Sequence, residues 1–478
     1  MLDRFGAHDA TDLAALVAQA KVSPTELLDA ALAASAEVNP QINAVVLTQE
    51  DVARQTIAKG LPRGPFSGIP FLLKDLGAEA VDFPSHNGSR LLANTRYDRD
   101  SAIFDRIRAT GVVTWGRTTS PEGGVGAATE SAVYGGPTRN PWNLDHTPGG
   151  SSGGAGAAVA AGIVPFAHGS DGGGSVRIPA SCCGLFGFKP TRARLPDGPY
   201  AGEGWAGMAI DGFLTHSVRD TAIMLDACAG PDLGAPYVAP PLQRSHADAI
   251  SRPPRRLRVM LVETTFTGTP IHPEVRSAVL NAARLLESLG HIVTPGLPRA
   301  DIGGMMRAWT DIVAVGSALG IRKALRGRPL TPDLVEGVGR GALAHAERLH
   351  PTRYLEAVGE IHAFGRQMAA VFDDCDVILS ATLAEPPARV GRFAHTTEDY
   401  VAYRTGPEGI FAYSPFCAVF NASGQPAASV PLGMSASGLP IGIHLAAPYG
   451  ADEELIALCA EVEKTGAWIR EKPPLRAK

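Results

Sequence analysis

The sequence predicts an α/β fold: a single large mixed, mostly parallel sheet covered by helices on both faces, with a helical lobe or lid. Three observations point there. Short apolar runs alternate with glycine-rich turns and helical patterns along most of the 478 residues, the texture of strands joined through helices. The runs are short and apolar, as in sheets covered on both sides. A composition of 45% hydrophobic and 19% charged residues supplies enough material for one large core.

In chain order, SPTELLDAALAASAEVN opens a helix. Ser23 is its N-cap, Pro24 takes the first helical position and Glu26 completes a capping box. Leu27, Leu28, Ala31 and Leu32 then recur with a helical period. Residues 1–64 are expected to form an N-terminal helical region packed on the core. From about residue 65 come GIPFLL, GVVTWG and GIVPFAHG, read as strands of a core spanning 65–230. The remainder, 231–478, belongs to the same α/β domain. It holds the strands RVMLVE, DVILSA, AASVPL and GLPIGIHLAA, and the helix PEVRSAVLNAARLLESLG, whose Val275, Val279, Ala282, Leu286 and Leu289 share a face. The stretch from about 300 to 372 is more helical and reads as a variable lobe on the substrate side.

The balance of charge narrows the functional classes. A net charge of −5 argues against a nucleic-acid binder. The one dense basic run, RPPRRLR (252–258), precedes an apolar stretch and reads as the solvated start of a strand. Six cysteines (Cys182, Cys183, Cys228, Cys375, Cys417, Cys459) lack C-x-x-C spacing and read as buried core thiols. MLDRFGAHDA has no apolar h-region, and no run of 18 apolar residues occurs, so a cytoplasmic protein without membrane contact is expected.

Two glycine clusters carry the chemistry. In PGGSSGG, residues 149–153 formally fit the G-x-S-x-G elbow, but the preceding TRNPWNLDHTP is a poor strand, so the context is missing. Neither cluster contains GK[ST] or opens a G-x-G-x-x-G unit, which excludes a phosphate cradle. In GIVPFAHGSDGGGSVRIPA an apolar strand runs into a glycine turn, Ser175 and a helix start. Consecutive N–H groups from Gly172 to Ser175 can point at one spot and form an oxyanion hole, each donor being worth roughly 3–4 kcal/mol. Ser175 stands where a nucleophile must. No histidine base is evident. Lys74, at the end of GIPFLLK, can lose its charge beside Phe71, Leu72 and Leu73.

By GIPFLLKDL, PGGSSGGAGAAVAAGIVPFAHGSDGGGSVRIPASCCGLFGFKPT, FNASGQPAASVPLG and GLPIGIHLAAP, the chain is identified as a member of the amidase signature family, over nearly its whole length. Within the family it resembles bacterial amidases, among them hydrolases of synthetic nylon oligomers. The resemblance implies that Ser175 is the nucleophile, that Ser151 bridges after a cis peptide bond, and that Lys74 is the base. It places the oxyanion hole at Gly172, Gly173, Gly174 and Ser175, with Gly172 departing from the isoleucine or threonine often found there. Ser152 joins the same network. Asp171 and Arg177 brace the turn, and Thr129 and Glu130 support the site. His146 and His168 read as structural.

The implied activity is serine-dependent hydrolysis of C–N bonds in small or oligomeric amides (aryl, cyclic or nylon-type), through an acyl-enzyme. Carbamate (urethane) hydrolysis by the same triad is the alternative; an amidotransferase A-type subunit and an amide-binding pseudo-enzyme are rivals. The small-residue run EGGVGAA makes Gly124, Val125 and Gly126 the expected substrate-binding residues, with Phe266, Trp309, Phe411, Tyr413 and Phe416 as candidate aromatic walls. No cofactor or metal is expected. The expected partner is a small-molecule amide or carbamate, with no nucleic acid or membrane, and the chain is expected to be a monomer or homodimer.

Overall fold

The computed structural model describes residues 8–469 and 471–477; the reading of MLDRFGA lies outside the described residues. Thirteen strands are described. They are β1 Val45–Val46, β2 Pro70–Lys74, β3 Val113–Thr118, β4 Glu130–Ser131, β5 Gly136–Pro137, β6 Phe166–Asp171 and β7 Phe186–Lys189. Then follow β8 Ile210–Thr215, β9 Arg258–Leu261, β10 Ile292–Pro295, β11 Val377–Ala381, β12 Ala427–Met434 and β13 Pro440–Ala446. Eleven form one mixed sheet in the order β1-β3-β2-β6-β8-β7-β12-β13-β11-β9-β10, and β4 and β5 pair separately.

Parallel pairing occupies two groups, β3-β2-β6 and β11-β9-β10. Between them the pairs from β6 to β11 are antiparallel. The N-terminal region also contributes an edge strand, because β1 pairs antiparallel with β3. At two residues, it is too short to leave a periodic signal in INAVV.

Local chemistry explains the helices. Helix Pro24–Ile42 starts at the reciprocal Ser23–Glu26 box, with the Glu26 amide donating to Ser23 Oγ and the Ser23 amide to Glu26 Oε2. It buries Leu27, Leu28 and Ala31. Helix Pro273–Ser288 buries Val275, Val279, Ala282 and Leu286 on one face. Helix Gly153–Ala160, GGAGAAVA, is buried all round. Small residues are needed there: a Cβ on Gly154 would lie 2.4 Å from the Thr119 amide nitrogen. Residues 300–372 hold the helices Ile302–Leu325, Gly337–Arg348 and Arg353–Val371. The six cysteines are buried and free. Among the described residues no helix is long and apolar enough to cross a membrane.

The sheet order positions the site. β2 and β6 are parallel neighbours, with Leu72 opposite Ala167, so their carboxyl ends meet at one sheet edge. β2 ends on Lys74, and β6 ends on Asp171 just before the glycine turn. Ligands of open α/β sheets bind beyond such ends.

Candidate active site

Lys74 closes a strand whose five residues are all buried, and it is itself 0% exposed. Its Nζ lies 2.7 Å from Ser151 Oγ and 2.9 Å from Ser170 Oγ. Burial pushes its pKa down, against the opposing charges of Asp211, Asp171 and Asp75, to about 7. A lysine amine in this setting is available as a base near neutral pH. Its backbone is held as firmly. The Lys74 amide donates to His168 Nδ1 at 3.2 Å, which leaves the Nε2 proton to face Asp211 Oδ1 at 3.0 Å. Buried Arg117 donates to the Lys74 carbonyl at 2.6 Å.

Ser151 follows a cis peptide bond from Gly150. Glycine is required at 150 because a Cβ would stand 2.7 Å from the backbone N and O of Ala128. Thr129 clamps both sides of the serine pair: its Oγ1 donates to the Gly149 carbonyl and accepts from the Gly153 amide. Ser152 ties the two glycine clusters together. Its amide donates to the Ser175 carbonyl, its hydroxyl donates to the Ser170 carbonyl, and the Ser170 amide donates back to that hydroxyl. Glu130 accepts from the Gly391 amide.

The nucleophile turn is built on Asp171 and Arg177, both fully buried. Arg177 Nη2 donates to Asp171 Oδ1 at 2.8 Å and Nε to Oδ2 at 3.0 Å. The guanidinium and the Asn421 amide hold the Asp171 carboxylate well below the usual carboxylate range, overcoming its burial. His444 Nε2 and Asn421 Oδ1 accept from Arg177. The same carboxylate also orders the turn, taking the amides of Gly174 at 2.7 Å and Val176 at 3.1 Å.

That corrects one expectation. The Gly174 amide is spent on Asp171, so it does not face a substrate oxygen. The amides of Gly172, Gly173 and Ser175 have no intramolecular acceptor among the described residues. Replacing Arg177 with Met leaves the Asp171 charge buried without its partner. A loss of about 3–5 kcal/mol is expected, read as a lowered unfolding midpoint.

Ser151, Ser170, Gly172 and Ser175 line one cavity of about 230 Å³. Ser175 is 9% exposed, open to that space. Three carboxylates, Glu79, Asp197 and Asp211, share the lining, and among the described residues no basic side chain does. Replacing Asp211 with Asn removes a charge that favours protonated Lys74. The Lys74 pKa should fall, moving the acid limb of the kcat/KM profile to lower pH; an unmoved limb would contradict this electrostatic account.

Of the expected substrate residues, only Gly124 reaches this cavity; its absent Cβ would stand 3.4 Å from Ser151 Oγ. Positive φ at Gly123 and Gly124 turns the loop away. Val125 therefore lines a neighbouring cavity, and Gly126 packs against His395 and Tyr403. Trp309 abuts the turn: its Nε1 donates to the Gly172 carbonyl at 3.3 Å, and Arg404 stacks on it at 4.8 Å. Phe266, Phe411, Tyr413 and Phe416 are core. His146 pairs with Arg389 in an isolated bridge and does not line the cavity of the serines.

Sequence reasoning missed Ser170 and Trp205. Alternation along HGSD puts Ser170 on the face of His168, which was the available signal. Trp205 explains Gly172: a Cβ there would lie 2.6 Å from the indole. Among the described residues no group of three or more His, Cys, Asp or Glu side chains is arranged to hold a metal ion.

The sequence model of the family described as Amidase matches residues 26–456. The chain belongs to the amidase signature family. It is 37% identical to the 6-aminohexanoate-cyclic-dimer hydrolase of Paenarthrobacter ureafaciens, covering 98% of this chain and 97% of that protein. It is 34% identical to an acylamidase of Rhodococcus erythropolis, over 97% and 96% of the two chains. The solved structure of 6-aminohexanoate cyclic dimer hydrolase complexed with substrate superposes with a TM-score of 0.92 at 35% identity, covering 99% of this chain and all of that one. This amidase is thus a hydrolase of carbon–nitrogen bonds, and its substrate is a small-molecule amide.

Proposed function

We propose that the chain hydrolyses small or oligomeric amides through an acyl-enzyme on Ser175, with Ser151 relaying protons to a neutral Lys74. One observation carries this reading: a buried lysine of pKa about 7 stands 2.7 Å from Ser151, which lines one cavity together with Ser175. Ser175 Oγ attacks the carbonyl carbon while its proton passes to Ser151 and that of Ser151 passes to Lys74 Nζ. The amides of Gly172, Gly173 and Ser175 stabilise the oxyanion. The C–N bond breaks as the relay returns the proton to the departing amine. Water then enters by the same route and releases the acid.

Aryl amides and cyclic or nylon-type amides are the substrates this reading favours, the latter because a relative of 37% identity is named for a cyclic dimer. Carbamates form a second reading, favoured by the bare backbone of Gly123 and Gly124 along the cavity wall. A fluorophosphonate probe tests the assignment. It should label Ser175 in the wild type and leave Ser175→Ala unlabelled, and small aryl carbamates should be cleaved above the Ser175→Ala background. Labelling of Ser151 would overturn the assignment, and anilide turnover without carbamate turnover would restrict the enzyme to amides.

A further inference from the structure

A second cavity of about 180 Å³ adjoins the first, sharing Leu76, Gly123 and Trp205 as walls. Its ceiling is the helical stretch, with Gly316, Gly320 and Ile321 from one helix and Ala342 from the next. Leu91, Leu92 and Val125 complete its apolar lining. Its two most deeply set polar groups are already occupied: Ser89 Oγ donates to Glu122 Oε1 at 2.6 Å, and the Glu336 amide donates to Glu122 Oε2 at 2.9 Å. What remains for a ligand is chiefly apolar surface.

Glycine keeps this space open. At Gly316 a Cβ would press on the Trp205 indole at 3.0 Å, whereas at Gly320 nothing lies within 4 Å. The indole of Trp205 thus fills the volume beside Gly172 and walls the two cavities apart. The reaction cavity holds the relay serine together with Glu79, Asp197 and Asp211. That setting suits the amine half, which leaves as a base and gains a proton. The apolar space then falls to the other half of the amide.

We propose that the cavity beneath the helical lobe, walled by Trp205 and roofed at Gly320, is the subsite for an apolar acyl chain. The inference rests on the amidase reading above and adds which half of the substrate goes where. Its test is the series of p-nitroanilides of acetic, butyric and hexanoic acids, with kcat/KM measured for wild type, Gly320→Ala and Gly320→Leu. In the wild type kcat/KM should rise by about fourfold per methylene until the cavity is full. Gly320 is an exposed residue of the lining with open space where its Cβ would stand, so Gly320→Leu takes up part of the cavity; the hexanoyl-to-acetyl ratio should drop at least tenfold, and Gly320→Ala should give a smaller drop. Leu319→Ala, at an exposed residue of the same helix that does not line the cavity, should leave the ratio unchanged. A flat series in the wild type, or an equal ratio in Gly320→Leu, would overturn the subsite. A rise on lengthening the amine half instead would overturn the assignment of halves. Anilide turnover surviving in Ser175→Ala would be a different failure, that of the amidase reading itself.

Discussion

Ser175→Ala is expected to lower kcat by a factor on the order of 10⁴ or more, because it removes the atom that bonds to the acyl group. Its fold should persist, since the turn is held by Asp171, Arg177 and Asn421 and not by the Ser175 hydroxyl. Ser151→Ala gives the contrast. It cuts the relay and leaves the nucleophile, so kcat should fall about 10²–10⁴-fold while slow fluorophosphonate labelling of Ser175 continues. Equal losses in both labelling and turnover would mean that Ser151 does more than pass a proton.

The second large effect is at Lys74. Lys74→Met keeps the length and the apolar stem but removes the amine, and kcat should fall about 10²–10⁴-fold. The variant should remain folded with an unfolding midpoint near that of the wild type, because it takes a desolvated amine out of the interior. A collapse of the fold would instead mark Lys74 as structural.

The clustering of Lys74, Ser151 and the Ser175 turn was legible in the sequence because its geometry depends on glycine. PGGSSGG and GSDGGGS have few other uses, and an apolar strand ending in lysine is rare enough to notice. That β2 and β6 are parallel neighbours, which brings both strand ends to one edge, was not legible in the two runs themselves. Side chains that arrive from far along the chain were not legible. Asn421 and His444 reach Arg177 from more than 240 residues away, and nothing around them announces it. The Gly174 amide looked free because the Asp171 carboxylate that takes it belongs to the tertiary fold of the turn. Nor does a run of small residues show where two left-handed glycines will bend it, taking Val125 to the neighbouring cavity and Gly126 against His395 and Tyr403. The antiparallel centre was hidden for a related reason: short apolar runs give no strand direction without their connections.

The central claim is that neutral Lys74 is the base, and the pH dependence of kcat/KM tests it most directly, since it reports groups of the free enzyme. Lys74 is the base only above its lowered pKa, so the rate should climb with pH through about 7 and then level off. Glu79, which burial pushes up to about 7, lines the same cavity and must be told apart. The decisive comparison is therefore wild type, Glu79→Gln and Lys74→Met on one p-nitroanilide from pH 5 to 9. The account predicts a limb near 7 in the wild type and in Glu79→Gln, and no such limb in the residual activity of Lys74→Met. A limb that survives in Lys74→Met and disappears in Glu79→Gln would contradict it.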